Sequence, residues 1–258
     1  MIIDSIDVYH LSVPIKEVWR TGYGEDETIE TILVAMHGEG ATGWGESTPF
    51  AAPCYSPEWA GGVFAMICRW LAPEFIGKSI SSGESLQEQF SMFKGNPFAK
   101  AALDNAWWVL NAELKEKSLA ELIGATRTHV ELGADFSVLL DLDLLMENIG
   151  KTIDQGFSRI KLKYRPDWDI HMVNSVRKEY PEYPFHIDCN GHYDINESIE
   201  MFCRLDDFDL MMIEQPLAHD DLLDHARLAE TIQTPICLDE SIWYVRGNVV
   251  LPFVCADS

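Results

Sequence analysis

Apolar and polar residues alternate singly from Ile2 to Val13, again from Thr28 to His37, and again from Ala41 to Glu46, the period of strands with one buried face. Gly38 and Gly40 separate the last two runs and predict a tight turn, so this region reads as an antiparallel meander. Pro14 to Glu27, with Gly22 and Gly24, lacks the alternation and is expected to be a mobile loop. A second irregular stretch, Pro49 to Pro57, contains Tyr55 and ends at a helix start. From Pro57 to Leu122 the period becomes helical. It is clearest over Pro97 to Leu119, where Ala101, Leu103, Ala106, Trp107, Leu110 and Leu114 form one broad apolar face before Gly124 stops it. Residues 1–125 therefore predict an α+β domain.

The rhythm changes near Val130. Short apolar runs at Leu132 to Leu139, Ser158 to Tyr164, Phe185 to Ile187, Leu210 to Ile213 and Ile236 to Leu238 alternate with amphipathic segments at Leu142 to Thr152, Asp169 to Tyr180, Asn196 to Leu205 and Asp220 to Thr231. Such βα repeats predict parallel strands and an α/β domain over residues 126–242, an incomplete (β/α) barrel. Active groups gather at the carboxyl ends of such strands. Residues 243–258 lack the polar face expected of a further barrel helix and read as a divergent tail, with the barrel truncated at its C-terminal side.

Composition narrows the partners. The 258 residues carry 42 acidic and 19 basic side chains, a formal charge of −23, which repels a phosphate backbone and anionic lipid alike. Neither nucleic acid nor membrane is expected as a partner. No run of about 18 apolar residues occurs, and Asp4 and Asp7 interrupt the N-terminal stretch where a signal peptide would need a positive flank, so a cytoplasmic location is expected. Six cysteines without a C-x-x-C pair predict reduced thiols, Cys189 among them as a packed, neutral side chain.

The chemistry lies where the apolar runs end. Asp188, Glu214 and Asp239 close three successive runs at intervals of about 25 residues, one βα repeat each. Together they offer hard oxygen ligands suited to Mg²⁺, with Mn²⁺ as a substitute, while the lack of His or Cys at these positions disfavours zinc. Asp239 taken alone also reads as a helix cap. Lys161 and Lys163, two apart on the preceding strand, should point to one side, where mutual repulsion would lower the pKa of each and leave one able to act as a base. Asn190 reads as support for a ligand or as a turn residue, Glu240 as a group that orients a neighbouring lysine. His186 is expected on the opposite face of its strand, and His192 in the loop beyond. The set predicts proton abstraction next to a carboxylate, with a small carboxylate as substrate.

IKLK at 160–163, HIDCNG at 186–191, MIEQPL at 213–218 and CLDES at 237–241, in this order, resemble the enolase superfamily in its muconate-lactonizing-enzyme-like subgroup. Gly43-Trp44-Gly45-Glu46-Ser47 resembles that family's capping domain. The resemblance is nearest to the o-succinylbenzoate synthases, some of which also racemise N-succinylamino acids. It implies Mg²⁺ on Asp188, Glu214 and Asp239, Lys163 as general base with Lys161 tuning it, and loops near Gly22 and Tyr55 closing over the substrate, with Ser137 a further candidate contact. The implied reaction is syn dehydration of a cyclohexadiene carboxylate in menaquinone synthesis. No lysine follows Lys178, so the second lysine that racemisation requires is absent, and a truncated, impaired enzyme is expected. Open strand edges predict assembly with another copy. Rival expectations are a dipeptide epimerase or cycloisomerase of the same superfamily, and a non-catalytic fragment that binds only a metal or a partner.

Overall fold

The structure, a computed structural model, describes residues 1–21, 24–139, 141–166, 168 and 170–242; the expected tail over 243–258 lies outside the described residues, as do Gly22 and Tyr23. Two compact units are present, one of Met1–Val18 with Asp26–His129 and one whose main part begins at Val130.

Strands β1 (Ser5–Thr21), β2 (Gly24–Gly38) and β3 (Ala41–Ser47) form one three-stranded sheet in sequence order, most of it in the first unit. Strands β2 and β3 pair antiparallel, with Ala35 opposite Trp44 and His37 opposite Thr42. The loop expected over Pro14 to Glu27 is a correction. Strand β1 runs on to Thr21 and β2 begins at Gly24, so most of that stretch is strand within the sheet.

Helices follow. They are α1 (Ala60–Met66), which continues through a wider π turn at Ile67–Leu71 into α2 (Ala72–Phe75), then α3 (Gly83–Ser91), α4 (Pro97–Leu114) and the short α5 (Leu119–Leu122). Helix α4 lies directly on β3 because two strand positions have no side chain. A Cβ on Gly43 would stand 2.1 Å from the Ala106 carbonyl oxygen, and one on Gly45 would stand 2.1 Å from that of Ala102. Trp107, Leu103, Leu110, Phe75, Ile32 and Met36 pack beneath, each fully or almost fully buried, an arrangement that contributes about 1.5–3 kcal/mol per large side chain. The N-terminus of α4 has no side-chain cap of its own. Glu58 replaces one, accepting the Phe98 and Ala99 N–H groups at 2.9 and 3.2 Å.

The second unit alternates strictly: β4 (Gly133–Phe136), α6 (Leu142–Asp154), β5 (Arg159–Lys163), α7 (Ile170–Glu179), β6 (Phe185–Asp188), α8 (Ile195–Leu205), β7 (Ile213–Glu214), α9 (Leu222–Thr231) and β8 (Ile236–Cys237). All five strands are parallel, in the order β4-β5-β6-β7-β8. Three of the helices begin on an aspartate that accepts backbone N–H groups: Asp141 for α6, Asp194 for α8 and Asp221 for α9. Each such cap is worth about 1 kcal/mol. Ile160, Leu162, Phe185, Ile187 and Ile213 form a common core with Val173, Val176, Phe202 and Leu228 from the helices.

At the amino ends of the strands Arg177 collects loop carbonyls. Its guanidinium donates to Tyr180, Pro181, Tyr183, Phe208 and Asp209 and lies 4.3 Å over the Phe185 ring. No helix among the described residues is long and apolar enough to cross a membrane.

Candidate active site

Strand pairing sets the site. In the parallel ladder Lys161 stands beside His186 and Lys163 beside Asp188, and Asp188 in turn beside Glu214. Side chains two apart on a strand share a face, so both lysines and both carboxylates converge at the carboxyl ends of β5, β6 and β7. The Lys163 ammonium donates to Asp188 Oδ2 at 2.7 Å. Lys161 bridges the two acids, 2.8 Å from Asp188 Oδ2 and 2.7 Å from Glu214 Oε1. Asp188 is 1% exposed and Lys163 7%, so these charges interact with little screening by water.

For Lys161 the electrostatics run opposite to the lowering expected from a neighbouring lysine. Burial pushes Lys161 down, but the Asp188 charge and hydrogen bond and those of Glu214 outweigh it, and its pKa is held well above the ordinary lysine value. Glu214 is pushed down to about 2, burial being outweighed by His186 and Lys161. Opposite charges at hydrogen-bond distance win over a like charge on the next inward position.

His186 is a second correction. Its imidazole faces the site, with Nε2 3.4 Å from Glu214 Oε2, because it is two residues before Asp188 on a regular strand and must share its face. Its Nδ1 is buried without a partner among the described residues. Asp135, on β4 beside Lys161, also faces this group, though it remains open to solvent. Partial desolvation raises its carboxyl above the usual range, Lys163 and Lys161 offset this in part, and Asp188 and Glu214 add to it. The two-residue period that places His186 would also have found Asp135.

Asn190 donates its backbone N–H to Asp188 Oδ1 at 2.9 Å and its side-chain amide to Glu240 Oε1 at 3.0 Å. Glu240 therefore holds Asn190, and among the described residues it makes no ion pair with a lysine; burial raises its carboxyl. Asp239, past the end of β8, is exposed, with its N–H on Gln215 Oε1 at 2.9 Å. Ser137 lies just beyond β4, half-buried, two residues on from Asp135. Tyr55 belongs to the first unit, its ring edge-on to Phe50 at 5.6 Å. Cys189 is fully buried, and desolvation with the charges of Asp188, Glu214 and Glu240 pushes its thiol well up, away from nucleophilic use.

Among the described residues no three His, Cys, Asp or Glu side chains form a group able to hold a metal ion. Asp188 and Glu214 converge on one positive charge, that of Lys161. The donor chemistry nonetheless fits a hard divalent cation. It consists of carboxylate oxygens from successive strand ends, two of them already arranged around a cationic group.

Residues 5–124 match the family described as mandelate racemase / muconate lactonizing enzyme, N-terminal domain, and residues 145–248 match the enolase C-terminal domain-like family. An o-succinylbenzoate synthase of Geobacillus kaustophilus is 38% identical over 241 residues, covering 93% of this chain and 64% of the synthase. An N-succinylamino acid racemase of an Amycolatopsis species is 34% identical over 250 residues, covering 96% of this chain and 67% of the racemase. A solved enolase-superfamily structure from Listeria innocua Clip11262 superposes with a TM-score of 0.88 at 34% identity, over 93% of this chain and 65% of that one. The chain thus spans about 64% of the length of the synthase from Geobacillus.

Proposed function

Because this chain belongs to the enolase superfamily, in its mandelate racemase and muconate lactonizing enzyme family, we propose that its second unit serves a lyase of the o-succinylbenzoate synthase type. The observation that carries this reading is the run of buried ion pairs from Lys163 through Asp188 and Lys161 to Glu214 at adjacent strand ends. Asp188, Glu214 and Asp239 would hold Mg²⁺, which when bound supplies positive charge to the substrate carboxylate as the neighbouring carbon loses its proton.

Lys163 is the general base. Its amine sits on Asp188 at the most buried end of the cluster, and it acts in the neutral form once its extra proton has passed to solvent. The neutral amine takes the proton alpha to the carboxylate and, now an ammonium, returns it to the hydroxyl that leaves from the same face, giving water and an aromatic product. Lys161 stays cationic throughout, since Asp188 and Glu214 both favour its charged form, and it holds those two carboxylates at fixed separation.

Purified chain with Mg²⁺ should convert a hydroxylated succinyl-cyclohexadiene carboxylate to its aromatic product only weakly, as followed by absorbance. Lys163→Ala should lower the rate by about 10²–10⁴-fold, the usual range for a lost acid-base group. Turnover undiminished in Lys163→Ala would remove Lys163 from this role. The racemase relative from Amycolatopsis supports a second reading, racemisation of N-succinylamino acids. Inversion of configuration together with deuterium uptake from D₂O would favour it, whereas uptake with retention marks one-sided abstraction.

A further inference from the structure

Gln215 follows Glu214 directly, and its side chain is used to capacity. Its Oε1 accepts the Asp239 N–H at 2.9 Å and the Ser241 N–H at 3.2 Å, while its Nε2 donates to the Leu217 carbonyl at 3.0 Å and to Ser241 Oγ at 2.8 Å. The residue is 0% exposed and has a φ of 37°, a left-handed conformation that L residues other than Asn and Asp adopt seldom and at some cost. Its backbone closes the ladder around it, the N–H on the Cys237 carbonyl at 2.8 Å and the carbonyl accepting from Gly191 at 2.7 Å.

Strand β8 ends at Cys237, so the segment bearing Asp239 continues past the ladder, and the Gln215 amide takes over the N–H groups of Asp239 and Ser241. A matching residue acts from the neighbouring strand. Asn190, also left-handed at φ 46°, binds Asp188 through its N–H and reaches Glu240 with its amide. Two strand-end residues, each one or two positions beyond a carboxylate of the site, therefore grip the same short segment.

We infer that Gln215 is a positioning residue that fixes Asp239 relative to Glu214, so that cation capture by these carboxylates depends on an amide that touches no cation. This rests on the reading above that Asp188, Glu214 and Asp239 hold a divalent cation. A purely structural glutamine would satisfy buried backbone anywhere in the core. This one bonds the backbone N–H of one proposed ligand while adjoining another in sequence, so loss of its amide should act through Asp239.

The test uses the full chain and Mn²⁺ as probe, with affinity and spectrum read by electron paramagnetic resonance. Gln215→Met, close in volume and without the amide, should weaken Mn²⁺ binding about tenfold to a hundredfold, the range for groups that orient ligands. In a double-mutant cycle, Gln215→Met combined with Asp239→Asn should bind no more weakly than Asp239→Asn alone. Additive losses, or unchanged affinity in Gln215→Met, would overturn the inference.

Hydrogen exchange provides an arm independent of any cation. The Asp239 and Ser241 amides should exchange at least about tenfold faster in Gln215→Met while Leu162 and Ile187 stay protected, and unaltered exchange at Asp239 would again overturn it. Should Gln215→Met fail to fold, Gln215→Glu retains both accepted bonds and should keep Asp239 slow; rapid exchange there would count against Gln215. Wild-type chain that binds no Mn²⁺ would remove the proposed cation site, and the exchange arm would then decide alone whether Gln215 holds the segment.

Discussion

Side chains that share a face on one strand end up in one electrostatic group, and their individual chemistry follows from that company. Cys189 illustrates it: adjacent to Asp188 in sequence, it points into the core and is enclosed completely, with its thiol pushed up. Treatment of native protein with a thiol reagent should label the exposed Cys54 and Cys203 and leave Cys189 unmodified until denaturant is added, as peptide mapping by mass spectrometry would show. The lysines and carboxylates were legible as a cluster because β periodicity and repeat length are written in the order of residues. What the pattern does not encode is which partner each charge chooses: Lys161 lies within reach of Asp188 and Glu214 only because β5, β6 and β7 pair in one register. Gln215 was not legible either, since an amide carries no period, and its partners lie 24 and 26 residues away in sequence.

At the scale of elements the boundaries fell close to the apolar runs wherever a helix or strand has two distinct faces, as in α6, α8 and β5. The N-terminal meander was legible but the length of its first two strands was not, because pairing along a ladder is a property of two segments and no single stretch announces it. The contact of α4 with β3 depends on Gly43 and Gly45. Gly45→Val should cost at least about 3 kcal/mol in urea unfolding, since the added carbons meet the backbone of a helix that cannot yield locally, whereas a substitution at the intervening exposed Trp44 should cost far less. Asp206 ties the end of α8 to the approach to β8, accepting the Gln233 and Thr234 N–H groups at 2.9 and 2.8 Å and the Thr234 hydroxyl at 2.7 Å. Burial is the largest single influence and raises its pKa, but those three hydrogen bonds together outweigh it, and the net shift is downward from 3.8. Its stabilising contribution is therefore complete above about pH 4 and is lost as pH falls through the lower, folded-state value. Wild type should exceed Asp206→Asn in urea midpoint at pH 7 and pH 5, the gap narrowing below about pH 3.5; a gap that widens on acidification would contradict the assignment.

For the molecule as a whole, the charge of −23 is a standing repulsion spread over both units. Raising NaCl from about 0.01 M to about 0.5 M should raise the urea midpoint, because shortening the screening length relieves like-charge repulsion on the surface more than it weakens the buried pairs. A midpoint that falls with salt would mean that exposed ion pairs outweigh the net charge. Each unit has its own core, and in the second the supporting end of the sheet draws on a shorter stretch of sequence than the chemical end. Every carbonyl that Arg177 gathers lies between Tyr180 and Asp209. Closing that cluster needs no residue beyond Asp209, whereas the chemical end of the sheet draws also on Glu214 and Glu240. The footing of the sheet is thus complete within a stretch of chain that contains only Asp188 of the three carboxylates above it.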